Sequence, residues 1–422
     1  MTSDGASAVD PQMLLLQMLD PANRADPYPL FAQIRELGPL LMPESNMTVF
    51  SSFADCDEVL RHPDSCSDSM KSSVVQRHLA AGATPPRGNT PGFLFLDPPD
   101  HTRLRKLAQQ AFAPRVVRAL EPDIAAMVDG LLDAMAAAGS ADLISDLAYP
   151  LPVAVICRLL GVPVEDESEF SSAAALVALA LDPIMSITGA PDPEADARLE
   201  AGAWLREYLG ELVERRRADP QQDLISALIA AEEDGDQLTA DEIVATCNLL
   251  LIAGHETTVN LIANAALEML RAPTHWSALA ADPELAGPIV EETLRFDPPV
   301  QLVMRISGAD MRIGGAGGLE RSDRGVVSVP AGDTMLLLLA AAQRDPAMYE
   351  APEEFRPGRD AARHLSFGLG PHFCLGAPLA RLEARVALAK LTARFPQARL
   401  AADPVYKPNV TLRGLATLPV AF

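Results

Sequence analysis

The run from Thr239 to Leu270 sets the scale of anything this chain can fold into. Thr239-Ala240-Asp241-Glu242 is a capping box, a hydroxyl at the cap and a glutamate three residues on. It opens a helical pattern of roughly thirty residues, on the order of 45 Å at ~1.5 Å per residue, enough to cross a whole domain. Its apolar part, Ile243 to Leu270, has the length of a membrane span, but Asn248, His255, Glu256, Asn260, Asn264 and Glu268 interrupt it. A lipid-facing helix does not carry such residues, so the sequence predicts a buried helix of a soluble protein and no membrane span. At its middle lies Ala253-Gly254-His255-Glu256-Thr257-Thr258. A glycine, an acid and two hydroxyls are poor choices for a helix centre, and local rules broken in a core helix point to a functional site. The zinc-protease pattern His-Glu-x-x-His is excluded, because its second histidine would fall on Val259.

A second stretch carries chemistry: Phe367-Gly368-Leu369-Gly370-Pro371-His372-Phe373-Cys374-Leu375-Gly376, ahead of an arginine-rich amphipathic run from Leu379 to Phe395. A helix N-terminus favours a thiolate over a thiol. A thiolate in a glycine-rich loop is a soft ligand for a transition metal, haem iron among the candidates. Taken alone, Cys374 reads better as a buried, inert cysteine.

Composition narrows the classes. The chain has 422 residues, 49% of them apolar, so it is globular with a large core. A formal charge of −23 argues against nucleic acid and anionic membranes as partners. The five cysteines, Cys56, Cys66, Cys157, Cys247 and Cys374, are too few and scattered for a disulfide framework. A reducing cytoplasm fits, and the N-terminal residues lack the charged and apolar regions of a secretory signal.

Along the chain, Met13–Leu19 is a short amphipathic pattern within an N-terminal segment, residues 1–20, expected to be flexible. Residues 63–96 lack periodicity and read as a long loop, functional or mobile. Asp100 is the expected N-cap of a helix from His101 to Phe112, on which His101 and Arg105 share a face. Residues 121–230 are patterned as helices, and the apolar segment Ser171–Ile187 reads as a flap or a packed helix pair. Pro288–Phe296 is a short helix with Glu292 and Arg295 one turn apart, an ordinary surface pair if taken alone. An apolar, strand-like run from Val300 to Met304 leads to Arg305. Gly314 to Gly325 is a glycine-rich loop. Val326–Val329 and Thr334–Leu339 are expected to pair around Pro330-Ala331-Gly332, and the chain closes on a hairpin turning near Leu412–Leu415. With no internal repeat and no linker, residues 1–422 read as one mainly helical domain with a minor β region.

In this order the pieces resemble the cytochrome P450 family, bacterial soluble branch, over essentially the whole chain. The cysteine loop is similar to Phe-x-x-Gly-x-(Arg/His)-x-Cys-x-Gly at Phe367, Gly370, His372, Cys374 and Gly376. Ala253-Gly254-x-Glu256-Thr257 resembles the oxygen-activation stretch, Glu292-x-x-Arg295 the structural motif, and Phe355-x-Pro357-x-Arg359 the meander whose arginine completes that triad. Two departures stand out: Arg356 where bacterial members commonly carry aspartate, and a longer connection at Gly314–Arg324.

The resemblance implies the P450 fold, a triangular single domain with haem b between the long central helix and the cysteine-loop helix. It implies Cys374 as the metal ligand, with Phe367, Gly368 and Gly376 around it. His101, Arg105, Arg305 and His372 would hold the haem propionates, since buried carboxylates need cationic or donor partners. Ala253 and Gly254 would lie against the macrocycle, and Glu256 and Thr257 would be the acid–alcohol pair that supplies protons. The reaction would insert one atom of O2 into a hydrophobic substrate of small to medium size. That substrate would meet Phe93, Phe95, Leu250, Val300, Val303, Met304 and Leu412, any of which is plain core on the ordinary reading. Electrons would come from a ferredoxin and its reductase, docking on Arg103, Lys106, Arg115, Arg359 and Arg363 of a cytoplasmic monomer. A peroxide-driven enzyme and a non-catalytic haem sensor or carrier are the alternatives. The intact Glu256-Thr257 pair weighs against the first, and the relay with its apolar cavity against the second.

Overall fold

The computed structural model describes residues 10–82, 91–183, 187–188, 194–233, 238–314, 325–359 and 363–422. The capping box forms: Thr239 Oγ1 accepts from Glu242 N at 3.2 Å, and Glu242 Oε2 accepts from Thr239 N at 2.8 Å. The helix it starts, Ala240–Arg271, runs for 32 residues. Its second half is buried without a break from Thr258 to Leu270, which only an interior helix shows. The helices Pro150–Leu160, Ala195–Ala218 and Ala377–Arg394 pack along it, and one continuous apolar cluster joins them. No helix among the described residues is long and apolar enough to cross a membrane.

The minor β region is a five-stranded sheet ordered Leu40–Met42, Met47–Phe50, Thr334–Leu337, Val303–Ser307, Ser65–Cys66. Its central strand, Thr334–Leu337, runs parallel to Met47–Phe50 and antiparallel to Val303–Ser307. The expected pairing of 326–329 with 334–339 therefore does not form. Val327–Val329 pairs instead with Met311–Ile313, because Thr334–Leu337, almost wholly buried, is taken into the sheet core. The residues 315–324 between that pair lie outside the described residues, and the expected loop there with them. The apolar run at 300–304 becomes strand only from Val303; before it, Val300 makes an isolated bridge to Leu412.

Three other expectations change. Part of the segment taken as flexible is the helix Pro11–Leu19, capped by Asp10 and burying Leu14, Leu15 and Met18 beside Tyr28 and Phe31. The long loop at 63–96 contains the strand Ser65–Cys66 and an eight-residue helix, Ser73–Ala80, with 83–90 outside the described residues. Asp100 does not cap the next helix but is its first residue, and the preceding position is Pro99. The C-terminal hairpin forms from Val405–Tyr406 and Leu415–Thr417.

The Glu292-x-x-Arg295 pair is no surface pair: the two side chains are 1% and 0% exposed. Arg295 donates to both Glu292 oxygens, at 2.7 and 2.9 Å, and to the carbonyls of Gln343, Pro352 and Glu354. Arg359 donates to Glu292 Oε1 at 2.9 Å and to the carbonyls of Ala351 and Glu354, each at 2.7 Å. One carboxylate and two guanidiniums thus staple the irregular segment ahead of the cysteine loop to the helix Ala286–Phe296. Arg356 adds its backbone N–H to Glu292 Oε1 at 2.8 Å, while its side chain stays half exposed near Glu354.

Candidate active site

The cysteine loop is held from several sides. Gly368 and Gly370 take φ of 64° and 66°, a region that disfavours other side chains, and a Cβ on Gly370 would meet the Leu60 carbonyl at 2.8 Å. Cys374 N donates to the Phe367 carbonyl at 2.7 Å, and the helix Ala377–Arg394 starts three residues on. Burial pushes the Cys374 thiol up, while the N–H groups of Gly376 and Ala377 and the charges of Arg105 and Arg381 pull it down. Each of these opposing groups favours the thiolate.

Facing this loop the fold gathers donors. The His101 and His372 rings lie 4.2 Å apart, centroid to centroid. Arg105 donates to the Phe373 carbonyl. The charges of Arg305, His101 and Arg105 all bear on His372, whose pKa burial, aided by them, pushes down to about 3. Burial lowers Arg305 to about 10, opposed only by Asp97. That carboxylate lies 3.9 Å from His372 but is already bound to Lys71 at 2.8 Å and to the N–H groups of Ser67 and Asp68. Both ring nitrogens of His101, which is 2% exposed, and Nδ1 of His372 are buried without a partner. Four donor side chains from three elements thus converge with too little negative charge among them. Their chemistry fits a ligand bearing two carboxylates, and Cys374 at their edge fits the iron such a ligand carries.

The long helix supplies the opposite wall. Ala253 is exposed and Thr257 half-exposed at its midpoint, whereas Leu251 and Val259 are buried to within 1%. On a helix packed along three others, accessible surface at the midpoint fits a hollow beside it. Gly254 does not face that hollow. A Cβ on it would meet Ile156 Cδ1 at 2.9 Å, so the glycine lets the helix Pro150–Leu160 pack close, and Ala253 takes the place expected of it.

Both members of the expected acid–alcohol pair already have partners within the chain. Thr257 Oγ1 donates to the Ala253 carbonyl at 2.9 Å, so its own proton is engaged in the helix and its lone pairs remain. Glu256 is 7% exposed and ion-paired, Oε1 to Lys407 Nζ at 2.7 Å. Lys407 also donates to Asn260 Oδ1 at 3.4 Å. This lysine, from the C-terminal hairpin, had no motif to reveal it. Asp97 and Lys71 were missed too, although an acid just before the Pro-Pro that opens the His101 helix was a visible signal.

Of the expected substrate residues, Leu250 lies one turn before Ala253, and Val300 is bridged to Leu412. Phe93 packs edge-on to His101, with centroids 6.4 Å apart, which places it in the donor cluster. Val303 is partly buried and packs against the core cluster that includes Phe50, Phe53 and Leu365. Phe95 and Met304 are 42% and 36% exposed. The turn bearing Leu412 is tied down by Asp182, whose carboxylate accepts from Val410 N at 3.0 Å and Thr411 N at 2.7 Å. In the expected basic patch, Arg103 pairs with Glu242, Arg359 with Glu292 and Arg363 with Asp57. Lys106 and Arg115 are exposed.

A helical domain with a glycine-held cysteine under a cationic cradle, opposed by a long helix with an acid–alcohol pair, defines the haem-thiolate class. The chain belongs to the cytochrome P450 family, whose model matches residues 40–285 and 284–412. It is 40% identical over 403 residues to a vitamin D(3) 25-hydroxylase of Pseudonocardia autotrophica, covering 94% of this chain and 93% of that one. It is 39% identical to the cytochrome P450 monooxygenase PikC of Streptomyces venezuelae, over 99% and 96% of the two chains. The crystal structure of Mycobacterium smegmatis CYP164A2 in its ligand-free state superposes with a TM-score of 0.90 at 61% identity, over 97% and 100% of the chains. The protein is a P450 monooxygenase with haem b as its cofactor, bound in this family through a cysteine thiolate.

Proposed function

We propose that Cys374 is the thiolate that holds the haem iron, and that His101, Arg105, Arg305 and His372 hold its two carboxylates. The observation that carries this is the cluster of donors beside the cysteine, its two histidine rings buried and His101 lacking any partner at either nitrogen. Held there, the haem would supply the O2 activation that no side chain can provide: one oxygen atom would enter a C–H bond, and two electrons from the ferredoxin with two protons would reduce the other to water. The chain's own residues bind, orient and pass protons. Thr257 presents its oxygen to the hollow beside Ala253, and Glu256 stores a charge one residue away that Lys407 holds in place.

The substrate is a hydrophobic molecule of small to medium size, seated near Leu250, Val300 and Leu412. The name of the Pseudonocardia relative, a vitamin D(3) 25-hydroxylase, fits an apolar substrate of that kind. Electrons come from a ferredoxin that meets the cysteine side through exposed Lys106 and Arg115. Arg103, Arg359 and Arg363, also expected on that surface, are engaged in ion pairs.

The test is the absorption spectrum of the reduced, CO-bound protein. A red-shifted thiolate band is expected, and Cys374→Ala should abolish it; its absence from the unaltered protein overturns the assignment. Substrate is found by a spin-state screen against steroids, terpenes, fatty acids and macrolides. Substrate-dependent NADH oxidation with a surrogate ferredoxin pair, giving oxygenated product, separates a monooxygenase from a sensor. Turnover with peroxide alone and none with the ferredoxin pair would favour the peroxide-driven alternative.

A further inference from the structure

Behind the cysteine loop lies a charged assembly outside the donor cluster and the stapling triad. Glu291, beside Glu292 on the helix Ala286–Phe296, accepts a two-pronged contact from Arg381, Nε at 2.6 Å and Nη2 at 3.0 Å. Arg381 stands on the helix Ala377–Arg394, seven residues past Cys374. Its guanidinium lies over the Phe367 ring at 4.5 Å, and the carbonyl of that same Phe367 accepts the Cys374 N–H at 2.7 Å. His364 completes the group. Ser366 N donates to His364 Nδ1 at 3.3 Å, so the ring proton sits on Nε2, 3.1 Å from Glu291 Oε2. The salt link holds Glu291 well below the usual carboxylate range, at about 2, with His364 and Arg381 outweighing its burial. Glu291 and Arg381 are 31% and 33% exposed, so neither needed a fixed partner for burial alone. A surface arginine drawn onto a ring and locked by a fork contact is placed, not stranded.

We propose that Arg381 and Glu291 are positioning residues that together set the electron affinity of the haem iron held at Cys374. Arg381 brings a positive charge to the sulfur side through Phe367, and Glu291 fixes and partly cancels it. This rests on the assignment of Cys374 above. A positive charge near the iron favours the reduced state, and a negative charge the oxidised state.

The test is the one-electron reduction potential of the purified holoenzyme, measured by spectroelectrochemistry for the unaltered protein, Arg381→Gln, Glu291→Gln and the double variant. Arg381→Gln leaves Glu291 uncompensated, and the potential should move negative. Glu291→Gln leaves Arg381 uncompensated, and it should move positive. The double variant should return toward the starting value. Opposite signs cannot come from simple loosening of the Phe367 loop, which would move both single variants the same way. Same-sign shifts, or no shift, in variants that keep the thiolate CO band overturn the proposal. A missing CO band in the unaltered protein instead overturns the Cys374 assignment, so the two failures are distinct. Should a Gln variant fail to hold haem, Arg381→Lys keeps the charge without the fork, and its potential should stay with the unaltered protein; a shift as large and negative as that predicted for loss of the charge counts against the proposal.

Discussion

The contact between Lys407 and Glu256 makes the sharpest demand on experiment. It joins residues 151 positions apart, the hairpin at the chain's end and the centre of the long helix, at 2.7 Å. The hairpin lies directly on the helix there, since a Cβ on Gly414 would sit 1.9 Å from Asn260 Oδ1. Replacing Lys407 by methionine keeps the stem and removes the charge, leaving a carboxylate that is 9% exposed without its cation. Breaking a fully buried pair costs ~3–5 kcal/mol. Lys407 keeps 18% side-chain exposure, so water recovers part of this, and about 2–3 kcal/mol is expected. At about 2.1 cal/mol/K per residue the unfolding entropy of a chain this long is near 0.9 kcal/mol/K, which makes the loss a fall in Tm of about 2–3 °C.

The assay is a double-mutant cycle by differential scanning calorimetry on Lys407→Met, Glu256→Gln and the pair. Because Glu256→Gln removes the charge that Lys407→Met would strand, the double variant should lose less than the two singles together, by about 1–2 kcal/mol. Lys407→Arg should restore most of the stability and the ratio of product to peroxide, which Lys407→Met lowers by freeing the acid from its fixed position. Additive losses would refute the pairing. Full coupling of turnover in Lys407→Met would refute the claim that the lysine orients the acid.

Other perturbations follow the same geometry. Arg295→Met should cost at least ~3–5 kcal/mol by stranding buried Glu292 and three carbonyls, read as loss of soluble, haem-retaining protein; normal yield and Tm would contradict the staple. Gly254→Ala should destabilise by about 1–2 kcal/mol through its 2.9 Å approach to Ile156, and should turn neutral or stabilising in an Ile156→Val background, by thermal melts. Glu383 is 2% exposed, its Oε2 has no partner, and burial pushes its pKa up from the ordinary carboxylate range to about 8. The folded chain then holds a proton that the unfolded chain releases, so stability should fall as pH rises from about 4.5 to about 8, by up to about 1.4 kcal/mol per unit. Glu383→Gln should flatten that decline in chemical denaturation; an unchanged slope would show that another group sets it.

What could be read ahead of the structure follows from how local the signal was. The capping box at Thr239 and the thirty-residue pattern behind it are local in sequence, and the helix forms where they place it. The cysteine loop is likewise written in consecutive residues, its left-handed turns at Gly368 and Gly370 included. Side-chain direction is not local. Gly254 and Ala253 are neighbours, yet a helix turns ~100° per residue, and only the position of Ile156 shows which of them meets the hollow. The strand Val327–Val329 has the alternation of a sheet member, but both edges of Thr334–Leu337 are already taken by Met47–Phe50 and Val303–Ser307, a fact of the whole sheet. Charge partners are the least legible of all. Lys407 and Arg381 each look like solvated cations in sequence, and only the folded chain gives them a carboxylate and, through it, a bearing on the iron site. The motifs name the cofactor, then, while the residues that tune it lie outside every motif.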